Sequence, residues 1–494
     1  MCDNGDMSEH EFSTRYTHLN SQQRAAVDTI DGPLLVVAGP GTGKTELLSM
    51  RAANILRQTD VLPENILCLT FTDSGAAAMR QRLRSIIGAD AYRVAIHTFH
   101  SFGSEVINHH REYFYHGVSR KPTDELGSYE ILRGILSKLD HHNPLSSKQN
   151  GEFTYLQDIS RSISQLKQAG LSSAELRQVI DADEALIAAV EPRLSEVFSA
   201  GRINKSMAGK LAPLAGEAAQ LPLPPLPPTI PPLADSFSLS LARAIDETLD
   251  SGKTTPLTAW RNHWCEKDAT GSYVLKDRKR LGKLRALAEV YDAYLTELSA
   301  AGLYDYDDMI LQLAQALDAQ PELRANLEEQ YQYIMVDEFQ DTNLAQLRIL
   351  FSLTSSPVHE GRPNIMAVGD DDQAIYSFQG ADVSNIHRFR SHYRDVQLIA
   401  LTDNYRSSRA ILTPARAVIT QGGDRLEAVL PELDKTLTAH HQPTQTAVSL
   451  AELPTSLAER QWLAQQIRQQ IDSGTPPEEI AVLARRHREL VALV

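Results

Sequence analysis

A glycine-rich octet near the start of the chain, AGPGTGKT at residues 38–45, has the residue types needed to hold a phosphate. It fits a small residue, four variable residues, glycine, lysine and then serine or threonine, with alanine where the first glycine often stands. Glycines let successive backbone N–H groups curl around an anion, and the following helix adds the positive end of its dipole. The predicted phosphate cradle consists of Ala38, Gly39, Pro40, Gly41, Thr42, Gly43, Lys44 and Thr45.

Within this cradle, Lys44 would bridge the β- and γ-phosphates and Thr45 would offer its hydroxyl to Mg²⁺. A second stretch, YIMVDEFQDT at residues 333–342, places two acids after a buried-strand pattern. Asp337 suits a role facing magnesium, and Glu338 suits polarising the attacking water. The alternatives are a glycine-rich turn without a ligand and a solvated acidic pair. Together the two stretches predict a nucleoside triphosphate hydrolase.

A third stretch, GDDDQAIYSFQGA at residues 369–381, sets three aspartates before a glutamine and two aromatic residues. Taken alone, it is compatible with a metal site, with a solvated acidic loop, or with a segment that contacts a ligand at each end. Three consecutive acids repel one another unless a cation is near. Because the other two stretches already supply a Mg²⁺ site, a second metal here has no evident purpose.

The elements that position these residues alternate between strand and helix. The apolar runs are PLLVVA (33–38), ILCLTF (66–71), RVAIHTF (93–99), YQYIMV (331–336), NIMAVG (364–369) and VQLIAL (396–401), with weaker ones in AVSLAEL (447–453) and EEIAVLAR (478–485). Strands alternating with helices predict a parallel, doubly wound α/β sheet. Residues 111–315 show helical periodicity instead, so this region is predicted to be an insertion.

The resulting domain prediction has three parts. Residues 1–110 and 316–396 form a first α/β domain, 111–315 a helical insertion, and 397–494 the first part of a second α/β domain. Within the insertion, LPLPPLPPTIPPL (221–233) has seven prolines in thirteen residues, which excludes helix and central strand. Polyproline II structure or an exposed linker is the prediction, and a ligand for an SH3-type domain is the alternative.

The 494 residues are 42% apolar and 22% charged, which is typical of a globular protein with sizeable cores. No secretory signal and no apolar run of about 18 residues is present, so no membrane partner is expected. The three cysteines, Cys2, Cys68 and Cys265, have neither disulfide-framework nor metal-site spacing, and a reducing cytoplasm fits them best. A net charge of −15 argues weakly against a protein that coats nucleic acid, but not against a basic groove.

In order along the chain, these blocks resemble the motifs of the UvrD/Rep/PcrA-like superfamily 1 DNA helicases. The matching blocks are LNSQQRAAV (19–27), AGPGTGKT, TFTDSGAAAMRQRL (70–83), HTFHSFG (97–103), LYDYDDMI (303–310), VDEFQDT, VGDDDQAIYSFQGA and LTDNYRSS (401–408). The resemblance implies two RecA-like motor domains around a P-loop NTPase sheet. It also implies ATP and Mg²⁺ as cofactors, and translocation on single-stranded DNA with 3′→5′ unwinding at single-strand/duplex junctions. A role in DNA repair or recombination follows from the same resemblance, whereas protein partners do not.

The resemblance assigns roles on the nucleotide side as well. Gln23 would read adenine, Tyr405 would stack on it, and Arg406 would reach the γ-phosphate from the second domain as an arginine finger. A structural salt bridge is the alternative for Arg406. Gln373 would contact the γ-phosphate, which makes GDDDQAIYSFQGA a relay between ATP and DNA.

For DNA, aromatic residues at or beyond strand ends are candidates for stacking on bases, and neighbouring polar residues for hydrogen bonds. They are Phe71, Phe99, Tyr376 and Phe378 for stacking, and Thr70, Thr98 and His100 for hydrogen bonds. Any one of the aromatic residues taken alone is more typical of a hydrophobic core. The basic stretch KDRKRLGKLR (276–285) is equally compatible with a phosphate-binding strip and with a solvated helix face.

Several positions depart from the family pattern. Gln379 stands where an arginine is usual, Asp73-Ser74 where Asn-Lys is usual, and Glu46 where an arginine often follows the P-loop threonine. No counterpart of the family's motifs V and VI is found, so we expect a fragment of a longer helicase, which alone would hydrolyse ATP slowly and fail to unwind duplexes. An ATP-gated single-stranded DNA-binding protein without unwinding activity is the alternative, and a P-loop ATPase acting on proteins is a third.

Overall fold

The computed structural model describes residues 4–114, 120–199, 203–224, 226, 230–375, 384–422, 425–430, 433–441 and 448–491. The chain divides into two compact units. The first consists of Met1–Tyr405 and Gly422–Leu437, and the second of Arg406–Gln421 and Thr438–Val494.

The strands of the described residues are β1 (Leu34–Ala38), β2 (Ile66–Thr70), β3 (Ala95–Thr98), β4 (Lys121–Pro122), β5 (Lys148–Gln149), β6 (Glu152–Phe153), β7 (Cys265–Lys267), β8 (Tyr273–Leu275), β9 (Leu303–Tyr304), β10 (Tyr333–Val336), β11 (Ile365–Gly369), β12 (Gln397–Leu401), β13 (Asp403–Asn404) and β14 (Thr438–Ala439). The α-helices are α1 (Asn4–His18), α2 (Ser21–Asp28), α3 (Lys44–Gln58), α4 (Asp73–Ile87), α5 (Phe99–His109), α6 (Glu125–Ser137), α7 (Leu156–Gln168), α8 (Ser173–Ser199), α9 (Lys205–Ala219), α10 (Leu233–Ser251), α11 (Thr255–Trp264), α12 (Arg278–Ala300), α13 (Tyr306–Ala319), α14 (Pro321–Gln330), α15 (Leu344–Leu353), α16 (Ser384–His392), α17 (Arg409–Ile419), α18 (Leu426–Val429), α19 (Ser456–Asp472) and α20 (His487–Leu490).

The first unit is built on a six-stranded sheet with the order β12-β1-β11-β10-β2-β3. All of its neighbouring strands run parallel. Parallel strands are covered on both faces, which explains why β1 is apolar at every position and completely buried. The α/β P-loop sheet predicted from the sequence is confirmed, and its strands end at the edge where such sheets bind ligands.

Alternate residues of β1 enter two different cores, as the two-residue period of a strand requires. Leu35 and Val37 pack with α13, α14 and α15 on one face. Leu34, Val36 and Ala38 pack with α2, α3 and α4 on the other. These two cores fix the position of every loop that leaves the carboxyl edge of the sheet.

The helices from α6 to α12 form the insertion between β3 and β10. One of its cores lies among α8 to α12, and a second one joins α6, α7 and α12 to α13. α13 also supplies Ile310, Leu313 and Leu317 to the core beneath the sheet, and it therefore belongs to both parts. In the proline-rich stretch, the described residues before Leu233 form neither helix nor strand. Leu221 and Leu223 pack against the insertion's core, so this part of the stretch is not a fully exposed linker.

The strand VQLIAL lies in the first sheet, not at the start of a second one. As β12 it pairs with β1 in the register Leu34↔Gln397 to Ala38↔Leu401. The boundary predicted between residues 396 and 397 falls directly before this edge strand, and it stays a prediction. In the second unit, α17 and α19 are helices, whereas the described residues of AVSLAEL and EEIAVLAR are not strands. Among the described residues, no helix combines the length and the hydrophobicity that crossing a membrane requires.

Candidate nucleotide and DNA site

The loop between β1 and α3 has the geometry of a phosphate cradle. Gly41 and Gly43 adopt left-handed conformations, with φ of 72° and 86°, which favour glycine. The Thr42 hydroxyl donates to the carbonyl of Gly39 at 2.8 Å, and α3 begins at Lys44. The predicted loop thus has a strand before it and a helix N-terminus after it.

Gln23 lies behind this loop and supports it. Its Nε2 donates to the carbonyl of Thr42 at 2.9 Å, and its Oε1 accepts from the backbone N–H of Asn20 at 3.1 Å. A methyl group at Gly43 would stand 3.1 Å from Gln23 Nε2, so this close approach also requires glycine. Both ends of the Gln23 amide are engaged in the structure, and the predicted contact with adenine remains a prediction.

Tyr405 lies beside the same loop and is the last residue of the first stretch of the first unit. Its backbone N–H donates to the carbonyl of Gly41 at 3.0 Å, and its hydroxyl accepts from Asn20 Nδ2 at 3.1 Å. The side chain of Asn404 donates to the carbonyl of Pro40. The Tyr405 side chain is 46% exposed, so a base can still reach its ring.

Lys44 and Glu338, 294 residues apart in the chain, meet at the carboxyl edge of the sheet with Nζ and Oε2 2.6 Å apart. Asp337 directly follows β10, and its backbone N–H donates to the carbonyl of Leu69 at 2.8 Å. Glu338 adopts a left-handed conformation with φ 48° and ψ 46°, which is strained for a residue with a side chain. The structure therefore brings together Lys44, Asp337 and Glu338, as predicted from the sequence.

The acids at this edge outnumber the cations that face them. Burial raises the pKa of Asp337 to about 6, and the charge of Glu338 acts in the same direction. Burial and Glu338 also raise the pKa of Asp341 to about 6. Asp341 Oδ1 is buried without a hydrogen-bond partner among the described residues. Because Mg²⁺ prefers oxygen ligands such as carboxylates, this excess of acidic oxygen fits a magnesium ion.

The three aspartates of GDDDQAIYSFQGA pair with a lysine from a distant part of the chain. Lys435 Nζ lies 2.6 Å from Asp370, 2.5 Å from Asp371 and 2.8 Å from Asp372. Gln373, predicted to contact the γ-phosphate, donates from Nε2 to Asp370 Oδ2 at 2.8 Å.

The DNA candidates that can be described fall into two groups. Thr70, Thr98 and Phe99 are buried: the Thr70 hydroxyl donates to the carbonyl of Thr72, Thr98 caps α5, and Phe99 is in the core. Phe99 is only 3% exposed and offers no face to a base in this structure, which favours the core alternative. Phe71 follows β2 and His100 makes an edge-on contact with Tyr306; both side chains are half-buried and partly accessible.

Four predicted features cannot be located at the site. Tyr376, Phe378 and Gln379 lie outside the described residues. Arg406 is the first residue of the second unit and is exposed. Stacking by the two aromatic residues and the arginine-finger role of Arg406 therefore remain predictions.

The departures from the family pattern have local partners. Glu46 pairs with Arg15 of α1 at 3.3 Å and with Arg82 of α4 at 3.4 Å, so these two arginines neutralise its negative charge. Ser74 and Thr72 share a hydrogen bond between their hydroxyls at 3.1 Å.

The basic stretch 276–285 is largely occupied by contacts within the insertion. Arg285 pairs with Asp181 and Glu184, and Arg278 pairs with Glu191. These pairs favour a structural helix face for the stretch over a strip that binds phosphate.

Sequence reasoning missed Gln340, Arg425 and Lys435. Gln340 lies inside the quoted block VDEFQDT, and its position two residues beyond Glu338 could have drawn attention to it. Lys435 lies 64 residues from Asp371 and belongs to no motif. The one signal for it was that three consecutive acids need a cation.

Comparisons with known proteins match almost the whole chain. The family model for the UvrD/REP helicase N-terminal domain matches residues 19–208 and 236–394. The model for the UvrD-like helicase C-terminal domain matches residues 399–494. The residues between the two parts of the first match, 209–235, include the proline-rich stretch.

Individual relatives agree with the family models. The chain is 28% identical over 408 residues to an ATP-dependent DNA helicase PcrA of Staphylococcus aureus (strain Mu50 / ATCC 700699), covering 83% of this chain and 40% of the relative. It is 29% identical over 412 residues to a DNA helicase II of Rickettsia typhi, covering 82% and 45%. A PcrA of Staphylococcus epidermidis is 26% identical over 472 residues, covering 96% and 48%. The chain thus spans less than half the length of these curated relatives.

Proposed function

The chain belongs to the UvrD/REP helicase family, and from this membership and the geometry of the site we propose that it is an ATP-dependent DNA helicase. It hydrolyses ATP and uses the energy to move 3′→5′ along single-stranded DNA and to unwind duplexes at junctions, in DNA repair or recombination. The observation that carries the proposal is the meeting of Lys44 and Glu338 next to the glycine cradle.

Nucleotide binding and the Lys44–Glu338 pair are coupled in this proposal. The cradle's N–H groups and the N-terminus of α3 hold the phosphates. Lys44 then exchanges its contact with Glu338 for the β- and γ-phosphates, since a phosphate carries more negative charge than a carboxylate. The released Glu338 carboxylate orients and polarises the attacking water. In this way Glu338 becomes available as the base only when a triphosphate has taken its place as the partner of Lys44.

Thr45 and Asp337 would hold the magnesium ion. When bound, the ion would neutralise the negative charge that develops on the phosphate oxygens during hydrolysis. The raised pKa of Asp337 belongs to the protein without bound cation. An adjacent cation favours the ionised carboxylate, so Asp337 is ready to act as a ligand near neutral pH.

On the DNA side, the relatives named as DNA helicases motivate the choice of substrate. Phe71 and His100 lie after β2 and β3, at the same edge of the sheet as the phosphate cradle. Stacking on bases tolerates any sequence, as a translocating motor requires. Tyr376, Phe378 and Arg406 complete the proposal as stacking residues and as the arginine that senses the γ-phosphate.

ATP hydrolysis by the whole chain, with and without oligo(dT), tests the proposal. We expect Mg²⁺-dependent hydrolysis that oligo(dT) stimulates and that Lys44→Ala abolishes. Lys138→Ala, which changes an exposed lysine of the insertion, is the matched control and retains the wild-type rate. Hydrolysis that does not respond to single-stranded DNA would contradict a DNA motor.

Strand displacement by the full-length protein, on duplexes with a single 3′ or 5′ tail, tests direction. Unwinding of the 3′-tailed substrate alone is the expected result. DNA-stimulated hydrolysis without displacement from either substrate would instead support an ATP-gated DNA-binding protein.

A further inference from the structure

Three consecutive aspartates are held by two cations from a distant part of the chain, whose described residues are 425–430 and 433–437. Lys435, 8% exposed, lies within 2.8 Å of all three carboxylates. Arg425 makes two hydrogen bonds to Asp372, at 2.7 and 2.6 Å, and also pairs with Glu427. Because each carboxylate is tied to a cation, the turn at Asp371–Gln373 has one preferred position.

The segment itself is firmly attached to the first unit. Leu426, Leu430 and Leu433 are buried in the core beneath the sheet. The backbone N–H of Leu426 donates to Asp371 Oδ2 at 2.8 Å. At the end of the segment, Leu437 lies so close to the phosphate cradle that a methyl group at Gly39 would stand 2.9 Å from its Cδ2.

A short series of hydrogen bonds joins this cluster to the catalytic pair. The backbone N–H of Asp370 donates to Gln340 Oε1 at 2.9 Å. Because that bond fixes which end of the amide faces Asp370, Gln340 Nε2 points to Glu338 Oε2, at 2.9 Å. Glu338 in turn contacts Lys44. Asp370 also accepts a hydrogen bond from Gln373. Asp370 therefore contacts both Gln340 and Gln373, the two amide side chains on this side of the site.

We propose that Lys435 and Arg425 are positioning residues of the ATPase site, which act through Asp370 and Gln340 to orient Glu338 and through Asp370 to orient Gln373. This inference rests on the proposed function and deepens it. Without the cations, the three acids repel one another and the turn moves. Gln340 then loses its fixed orientation, and Glu338 is no longer directed at the water.

Steady-state ATP hydrolysis by Lys435→Met, Lys435→Arg and the wild-type chain tests the inference. Lys435→Met removes the charge while keeping much of the side-chain volume. We expect kcat to fall about ten- to a hundredfold, as for a small misplacement of catalytic groups. KM for ATP stays within about twofold, because the cradle is intact. Lys435→Arg restores most of the rate, and Lys138→Met is the control at an exposed lysine.

A second comparison separates positioning from a purely structural role. Gln340→Ala interrupts the same series of hydrogen bonds. Because the rate losses of groups acting in series are not additive, the double variant Gln340→Ala/Lys435→Met should be no slower than the slower single variant. Thermal unfolding and circular dichroism of each variant establish that it is folded. If Lys435→Met does not fold, Arg425→Gln takes its place in both comparisons, with the same expected fall in kcat.

Two results would overturn the inference while leaving the proposed function intact. One is a folded Lys435→Met variant with the wild-type kcat. The other is a double variant whose loss is the product of the two single losses. If the wild-type chain shows no hydrolysis that depends on Lys44, the proposed function and the inference both fail.

Discussion

Glu338 combines an unfavourable backbone conformation with two strong side-chain contacts. Its left-handed φ and ψ cost of order 1–3 kcal/mol for a residue with a side chain. The ion pair with Lys44 and the hydrogen bond from Gln340 hold it there. The turn after β10 is thus arranged around the placement of one carboxylate.

Glu338→Gln tests whether that carboxylate is the base. The amide keeps the shape of the side chain but cannot act as a base, so we expect kcat for ATP to fall by about a hundredfold or more. ATP affinity should be equal or higher, because Lys44 no longer has an anionic partner to leave. Glu329→Gln, at an exposed position of α14, is the control. Hydrolysis at the wild-type rate by Glu338→Gln would show that another group activates the water.

Gly369 ends β11 where the chain passes closest to Gln340. A methyl group there would stand 2.6 Å from Gln340 Oε1 and 3.1 Å from the Gln340 backbone nitrogen. Gly369→Ala should therefore destabilise the fold by about 1–3 kcal/mol in urea unfolding. Gly282, an exposed helix residue with open space around it, gives the opposite comparison. Gly282→Ala should stabilise by about 0.5–1 kcal/mol.

At the residue scale, site residues were predictable from the sequence where their neighbours in the chain form a recognisable motif. The phosphate cradle lies in eight consecutive residues, and Asp337 with Glu338 follows an unmistakable buried strand. Lys435 could not be found in this way, because its role depends on a contact across 64 residues. Phe99 shows a second limit of prediction from sequence. An aromatic residue at a strand end can either pack in a core or stack on a base, and Phe99 is buried in the structure.

Among the elements, α13 connects the helical insertion to the sheet. The block LYDYDDMI (303–310), called here the acidic signature, contains β9, the N-cap residue Asp305 and the first turn of α13. Asp305 and Asp308 cap the helix reciprocally, and both also face the fully buried Lys167 of α7, at 2.5 and 2.7 Å. The ring of Tyr294 on α12 lies 4.8 Å from the same ammonium group. The acidic signature thus anchors three helices on one buried cation.

Removing that cation should be costly. Lys167→Met leaves Asp305 and Asp308 without their partner in a buried site, and we expect a loss of about 3 kcal/mol in the free energy of unfolding. Lys138→Met breaks an exposed pair with Glu297 and should change it by less than about 1 kcal/mol. Equal effects from the two variants in urea unfolding would contradict a central role for the Lys167 cluster.

Asp183 on α8 provides a pH-dependent test in the same insertion. Burial, with a smaller contribution from Asp277, raises the pKa of Asp183 to about 6 from its ordinary value near 3.8. The fold therefore disfavours the ionised form, so the contribution of Asp183 to stability is greatest below pH 3.8 and is lost as pH rises through 6. Asp183→Asn should raise the melting temperature at pH 8, and the difference should shrink as pH is lowered below 6. A pH-independent difference would exclude this cause.

The strand content of the first sheet was predictable, but the membership of its edge strand was not. β12 is an apolar run like the others, and an apolar run does not reveal which sheet it joins. Its pairing with β1 depends on the path of the whole chain, which returns to the first unit after the helical insertion. The proline-rich stretch shows the same limit, since its composition excludes helix and strand but does not predict that Leu221 and Leu223 pack on a core.

At the scale of the whole molecule, the large separation between Lys44 and Glu338 results from an insertion into one sheet. Two strands that follow the insertion, β11 and β10, lie between β1 and β2, which precede it, so the sheet cannot be completed until both parts are present. This order explains how residues 294 positions apart form one site. It also implies that the sheet and the phosphate cradle unfold together.

The two units differ in how much core the described residues provide, and hydrogen exchange should reveal this. In the first unit, Leu47–Ile55 of α3 are all buried. In the second, α17 and α19 contain no buried residue, and Leu450 and Leu483 are 98% and 95% exposed.

Since protection from exchange follows burial, amides of α19 should exchange through local opening, and those of α3 only at the rate set by global unfolding. Mg²⁺ with a non-hydrolysable ATP analogue should further slow α3 by stabilising the folded site. Equal protection of α19 and α3 in the isolated chain would show that the second unit has a core which these helices do not reveal.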